Sequence, residues 1–266
     1  MNKHLKRALC AALAVSLVPA AAEAADYSYP AIATGMAIPA SGSTGALALR
    51  PAARHHRGVL IDAGSATLHM LEDGRIVDSM KVIVGKRSAP TPELRTTLTY
   101  ATLNPYWHVP ADLVRTLTAP NVLKYGVSYL TERGYEVLSR FGPGGRVIDP
   151  ETVDWNAVAE GRAVAYVRQK PGPANSMGQI KFSLAAGGDI FLHDTPKKEL
   201  FEEENRNLSA GCVRLEDAER FARWLLGPNA PLEASAPEQH IALRRQVPVV
   251  ITYLDPQARM QLASMR

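Results

Sequence analysis

The sequence predicts a mainly β domain with a few short helices and a helix-rich insertion. Three observations carry that reading. Short runs rich in Val, Ile, Thr and aromatic residues recur between Gly58 and Leu254, many bounded by Gly, Pro, Asp or Asn. A stretch at about 110–160 loses that pattern and reads as short helices and loops. One segment near the C-terminal end, LEDAERFARWLL at 215–226, has clear helical periodicity.

The elements follow in order. GVLIDAG from Gly58 reads as a strand, followed by ATLHML and IVDSMKVIV. Asp73-Gly74 between the latter two marks a hairpin, because its tight turn needs positive φ at the centre. His69 falls within this strand region and reads as structural. RTTLTYATL at 95–103 is a further strand. ADLVRTL and NVLKYGVSYLTERG look like short helices ending near Gly134, FGPGG at 141–145 is a loop, and Asp149-Pro150 opens a turn or helix through Trp155. Strands resume at 162–168, 178–184 and 189–193, and VPVVITYL at 247–254 closes the domain as a buried strand, leaving 255–266 as a tail. In the 215–226 helix, Leu215, Ala218, Phe221, Ala222 and Leu225 share a face, and Glu216–Arg220 and Glu219–Arg223 are i, i+4 pairs.

The N-terminus reads as an export signal. Lys3, Lys6 and Arg7 precede an apolar run from Ala8 to Ala22, and Ala22-Glu23-Ala24 offers a cleavage site. The run is too short to be a comfortable membrane span and Pro19 interrupts it, so no stable span is expected in the mature chain. Losing residues 1–24 removes three positive charges and one negative, so the net charge falls from +4 to +2. There is no polybasic stripe, which argues against nucleic acid as a partner. Residues 25–57, rich in Ala, Ser, Gly and Pro, read as a flexible linker. His55 and His56 near its end lack further ligands at metal-binding spacing.

The chain has two cysteines, and Cys10 lies in the signal. Cys212 is then the lone thiol of the mature protein, either a small core hydrophobe or a reactive group. Its neighbourhood reads FLHDTPKKELFEEENRNLSAGCVR, with His193 ending a strand and Cys212 following Gly211 just before the periodic helix. A helix N-terminus would favour a thiolate, the nucleophilic form of cysteine. A histidine within reach could take the proton and return it to a leaving amine. The same N–H groups at the helix start could hold an oxyanion.

H-D-T-P followed by S-x-G-C-V-R resembles the signature of the YkuD-type L,D-transpeptidase catalytic domain, with 19 residues from His193 to Cys212. VIVGKRSAPTPELRTTLTYATLNPYWHVP (82–110) and VRQKPGPANSMGQIKFSL (167–184) extend the likeness to the long, Gram-negative branch over roughly 58–226. The resemblance implies a sandwich-like β fold, with the 110–160 insertion as a cap over the site. It implies Cys212 as nucleophile and His193 as base, the ring being oriented by a backbone carbonyl. Gly211, Ser209 and Arg214 match supporting positions, and Gly211 and Cys212 would offer backbone N–H groups to the oxyanion. Arg214 would position the loop, meet a substrate carboxylate or form a structural ion pair. Asn104, Tyr106 and Trp107 match a stretch near the donor groove, although Tyr106 and Trp107 also read as core aromatics. Asp194 reads as shaping the loop. Two departures stand out: Ala210 replaces a histidine common before the Gly-Cys pair, and only the 25–57 linker is expected between the signal and the catalytic region, where long members often carry a separate peptidoglycan-binding domain.

The implied reaction is a two-step acyl transfer. Cys212 attacks the third-residue carbonyl of a donor tetrapeptide stem, the terminal D-alanine leaves, and an acceptor amine resolves the thioester as a 3-3 cross-link. No metal or organic cofactor is implied, and carbapenems are expected acylating agents. The expected partners are peptidoglycan tetrapeptide stems and other cell-wall synthesis proteins, and the expected location is the periplasm. Water as acceptor would make the protein a carboxypeptidase or hydrolase, and a protein lysine or free D-amino acid an anchoring or exchange enzyme. A non-catalytic wall-binding module is disfavoured by the intact His193, Ser209, Gly211, Cys212 and Arg214. A papain-like protease is disfavoured by the order of His before Cys.

Overall fold

The computed structural model describes residues 56–265 apart from 187 and 189. The expected signal, 1–24, and all but the end of the expected linker lie outside these residues. Arg57 is already the first residue of a strand.

Among the described residues thirteen strands are formed: β1 (Arg57–Asp62), β2 (Thr67–Glu72), β3 (Arg75–Gly85), β4 (Leu94–Leu103), β5 (Trp107–His108), β6 (Tyr135–Leu138), β7 (Val147–Ile148), β8 (Tyr166–Gln169), β9 (Ile180–Leu184), β10 (Leu192–His193), β11 (Asn207–Ser209), β12 (Val213–Leu215) and β13 (Gln239–Thr252). Asp73 and Gly74 both take positive φ, 50° and 81°, in the β2–β3 hairpin. Nine strands join in the order β11-β3-β12-β10-β9-β4-β13-β1-β2. The long β3 also pairs with β2 along Arg75–Lys81, before its Val82 and Ile83 pair with β12. The sheet therefore coils back on itself and encloses a core, giving the mainly β, sandwich-like fold. His69 is buried within it and its Nδ1 lies 2.8 Å from the Ser79 hydroxyl.

The periodic helix is shorter than its pattern, spanning Ala218–Leu226. Ala218, Phe221, Ala222 and Leu225 are buried on one face, with the Phe221 ring edge-on to Phe182 at 4.9 Å. Leu215 belongs instead to β12, where it pairs with Val82. Asp217 is the true N-cap, its carboxylate accepting from the Arg220 N–H at 2.9 Å. Arg220 pairs with Asp78 and Asp217 rather than Glu216, while the expected Glu219–Arg223 pair forms at 2.6 Å.

The insertion builds its own core. Helices at Ala119–Tyr125, Ser128–Glu132 and Trp155–Ala159 pack Val122, Leu130, Trp155 and Val158 against Val137 and Val167. A four-stranded sheet, β5-β8-β6-β7, accompanies these helices. The unit thus begins near Trp107 and ends near Gln169, beyond the 110–160 window, because its closing strand β8 pairs with β5 and β6. The expected tail folds as a helix, Pro256–Ala263, capped by Asp255. Arg259 ties it to the buried Asp62 at 2.7 Å. No helix among the described residues is long and apolar enough to cross a membrane.

Candidate active site

β10 is only two residues long, yet it sets the site. It runs parallel to β12 and antiparallel to β9, in a register that aligns His193 with Arg214 on one side and Lys181 on the other. Residues in register project from the same face of a sheet. Arg214, His193 and Lys181 therefore form one row across three strands. The Val213 N–H donates to the Phe191 carbonyl at 3.0 Å, which carries the pairing back to the entrance of β12. Cys212, two residues before Arg214, enters on the same side. Both Lys181 and Arg214 feel its charge, which raises them against a larger depression caused by burial.

Cys212 thus precedes a strand, not a helix. The helix N-terminus at Asp217 lies five residues on, separated by β12, and the expected helix-end support for a thiolate is corrected accordingly. The sequence pattern misled because Leu215 has the spacing of a helix face while its backbone is held in the sheet. Charge support comes from Lys181 and Arg214 instead; by reciprocity, two cations that are stabilised by the sulfur favour negative charge upon it.

His193 is buried, and its Nδ1 lies 2.5 Å from the Asp194 carbonyl oxygen. A carbonyl can only accept, so Nδ1 carries the proton and Nε2 of the neutral ring is the basic nitrogen. Burial pushes the imidazole down to about 4, with Arg214 and Lys181 adding to the fall and the Asp194 carbonyl and carboxylate opposing it. The ring is neutral at neutral pH, as a general base must be. The Asp194 carboxylate turns away from it, accepting from the Gln179 N–H at 2.9 Å and pairing with Lys198 at 2.7 Å.

The turn before Cys212 is closely held. Ser209 Oγ donates to the Cys212 carbonyl at 2.6 Å and accepts from the Gly211 N–H at 3.1 Å. The Gly211 N–H is therefore committed to Ser209, which removes it from the pair of expected oxyanion donors. Gly211 has φ of 122°, a conformation costly for any L side chain, and a Cβ there would meet Ile190. Its carbonyl accepts from Thr91 Oγ1 at 2.8 Å, and Thr91 Oγ1 in turn accepts from the Gly85 N–H at 2.8 Å. Tyr253 donates to the Thr91 carbonyl at 2.7 Å. Thr91, almost fully buried, is thus a brace between β3 and the Cys212 turn.

The other sequence-derived positions are more scattered. Arg214 makes no ion pair with any described carboxylate, so the structural-pair alternative does not hold there. Asn104 sits at positive φ, 51°, and lines an open cleft with Gln179, Asp194 and Lys198, a cleft that neither Cys212 nor His193 lines. Tyr106 lies beneath the Arg168 guanidinium at 4.2 Å. Trp107 packs partly buried against the core of the insertion, 6.3 Å from the Tyr135 ring. Thr91 and Lys181 carry no motif signal. Lys181 alternates with Ile180 and Phe182 and reads as a solvent-facing strand lysine until the pairing with His193 is known.

Among the described residues no group of three or more His, Cys, Asp or Glu side chains could hold a metal ion. The site brings together a thiol, a neutral imidazole with a fixed tautomer and two flanking cations, a set suited to cysteine acyl transfer. The family model for the YkuD L,D-transpeptidase catalytic domain matches residues 56–251. The chain belongs to that family. A curated Haemophilus influenzae protein named "Putative L,D-transpeptidase" is 34% identical over 171 residues, covering 64% of this chain and 34% of that protein. The chain therefore spans about a third of the length of this relative. Among solved structures, an L,D-transpeptidase from Mycobacterium smegmatis is 14% identical with a TM-score of 0.34, the alignment covering 74% of this chain and 58% of that one. L,D-transpeptidase 3 from Mycobacterium tuberculosis, in complex with a faropenem-derived adduct, is 14% identical with a TM-score of 0.37, covering 74% and 60%.

Proposed function

We propose that this L,D-transpeptidase domain forms 3-3 cross-links between peptidoglycan stems, with Cys212 as nucleophile and His193 as general base. The observation that carries the reading is the β9-β10-β12 register, which puts His193, Lys181 and Arg214 on one face beside the entrance of Cys212. In the first step the Cys212 thiol gives its proton to His193 Nε2 as sulfur attacks the third-residue carbonyl of a donor tetrapeptide. The oxyanion forms beside the Cys212 N–H. The imidazolium returns the proton to the departing D-alanine amine, leaving a thioester. In the second step neutral His193 takes a proton from the attacking acceptor amine, the new amide forms, and the thiol is regenerated by that proton. The proposed setting is outside the cytoplasmic membrane, where the substrate lies, reached through the signal-like segment at 1–24.

The test is mass spectrometry of muropeptides after incubation with disaccharide-tetrapeptide, with Cys212→Ala alongside. A cross-linked dimer lighter by one D-alanine, absent from the variant, is the expected product. Shortened monomers alone would assign water as acceptor. Products unaffected by Cys212→Ala would remove the cysteine from the mechanism.

A further inference from the structure

Lys181 is a cation in an expensive place. It is half-buried in the middle of the catalytic face, and burial pulls its ammonium below the usual lysine range. Burying a charge is costly unless an anion answers it. No described carboxylate lies within ion-pair distance, and the ammonium sits over the Phe191 ring, 5.1 Å from the ring centroid. Glu238 and Cys212 attract it from farther away. Its positive charge is felt both by His193, its register neighbour on β10, and by His108, on β5 of the insertion. Lys181 therefore acts electrostatically on both the β9-β10-β12 row and the insertion. An ordinary surface lysine would extend into water, and a structural one would carry a carboxylate partner.

We propose that Lys181 is a specificity-determining residue, receiving a carboxylate of the donor peptide next to the carbonyl that Cys212 attacks. The inference rests on the stem-peptide reading given above and assigns a ligand class to one side chain of the same site. Register supplies the geometry: the lysine is the direct neighbour of the base, on the strand opposite Arg214, so an acyl group held between Cys212 and His193 has Lys181 on its far side. A short peptide offers two such carboxylates, one at its C-terminus and one on a side chain.

A probe that needs no peptidoglycan tests the anion site first. Iodoacetate and iodoacetamide alkylate the same thiolate and differ in charge, so their rate ratio at Cys212 cancels any change in thiolate fraction. Peptide mass mapping scores Cys212 apart from Cys10. Relative to a free cysteine peptide, the full-length protein is expected to favour iodoacetate, and Lys181→Met to lower that ratio about tenfold. Lys181→Arg should keep it, and added salt should erode it. An unchanged ratio in Lys181→Met overturns the proposal. The second arm compares donor tetrapeptides carrying a carboxamide at the C-terminus or on the side chain. One of them should raise KM in the parent protein and leave Lys181→Met indifferent, which names the carboxylate. Equal discrimination by both proteins would overturn the assignment to the donor. A charge-selective Cys212 with no turnover of any stem would retain the anion site and refute the stem-peptide reading on which this assignment rests.

Discussion

Thr91→Val removes one hydroxyl and nothing of comparable size. Valine fills the same volume, but two buried groups lose their partner: the Gly85 N–H and the Gly211 carbonyl, each at 2.8 Å from Thr91 Oγ1. An orphaned buried group costs about 1–3 kcal/mol, so about 3 kcal/mol is expected for the pair after partial relaxation. For a domain of this size that lowers Tm by about 6–12 °C. The effect on catalysis is separable. The Gly211 carbonyl and the Cys212 N–H belong to one planar trans peptide and point in opposite directions. Freeing the carbonyl lets that plane rotate and misaims the N–H beside which the oxyanion is proposed to form. Loss of a whole oxyanion donor costs about 10²–10³ in rate, so a misaimed one should cost about 10–100-fold in acylation. Alkylation of Cys212 by iodoacetamide, a displacement at saturated carbon, develops no oxyanion and should change by less than about twofold. The assay is stopped-flow acylation by a carbapenem beside iodoacetamide kinetics, with Thr91→Ser as the variant that keeps the hydroxyl. Acylation at the parent rate in a Thr91→Val protein with lowered Tm would refute the reasoning. So would an equal fall in both reactions, which would mean that the sulfur itself had moved.

Three further outcomes follow from the same structure. The folded His193 ring at about 4 refuses a proton that the unfolded chain accepts near 6.5. Its contribution to stability is complete above about pH 6.5 and is lost as pH falls through the window to about 4, in total roughly 3 kcal/mol. His193→Gln should flatten that part of a denaturant-derived stability profile, and parallel profiles would contradict it. Gly211→Ala forces a side chain onto φ of 122° and against Ile190, costing about 1–3 kcal/mol, and should abolish detectable carbapenem adduct in intact-mass spectra. At Asp62, burial raises the carboxyl, but hydrogen bonds from Arg259, Ser65, Leu254 and Gly64 outweigh it and hold the group below its usual range. Arg259→Met should cost about 1–2 kcal/mol at neutral pH and shift the onset of acid unfolding upward, because the stability of a depressed carboxylate disappears as pH falls through its folded pKa; an unmoved acid limb by circular dichroism would exclude the tie.

What was legible in the sequence was whatever depended on neighbours along the chain. Asp73-Gly74 fixed a hairpin, Asp149-Pro150 opened a turn, and Phe221, Ala222 and Leu225 marked a buried helical face, each because the responsible contact spans only a few residues. The start of that helix was not legible. Leu215 satisfies helical spacing, yet its backbone is consumed by Val82 across a gap of more than a hundred residues, and long-range pairing overrides local period. The same limit hid the cations around the thiol. Nothing near Lys181 in sequence distinguishes it from a lysine on a wet strand face, and Thr91 sits in a Pro-flanked loop without periodicity. Both acquire meaning only when β9, β10 and β12 are laid side by side and the Cys212 turn is folded back on β3. The expected window for the insertion is too narrow for a related reason: its closing strand, β8, has an ordinary strand sequence and is assigned to the insertion only by its partners, β5 and β6.

The cations also shape the proton path of the proposed chemistry. A base surrounded by positive charge is a poor place to store a proton, and His193 has Arg214 and Lys181 on either side. Taking the thiol proton would put a third positive charge in the row. That is tolerable only while the sulfur and then the oxyanion carry the compensating negative charge. When the tetrahedral intermediate collapses, the negative charge is consumed and the imidazolium is left among cations in a buried site, where it is strongly acidic. It then protonates the leaving amine readily and returns to the neutral state needed for the acceptor. The depressed imidazole is therefore no weakness for acyl transfer to an amine. The groups that make His193 a reluctant base in the resting enzyme are those that favour negative charge on the nucleophile, and their effect on the ring changes with each charge that forms or vanishes on the substrate.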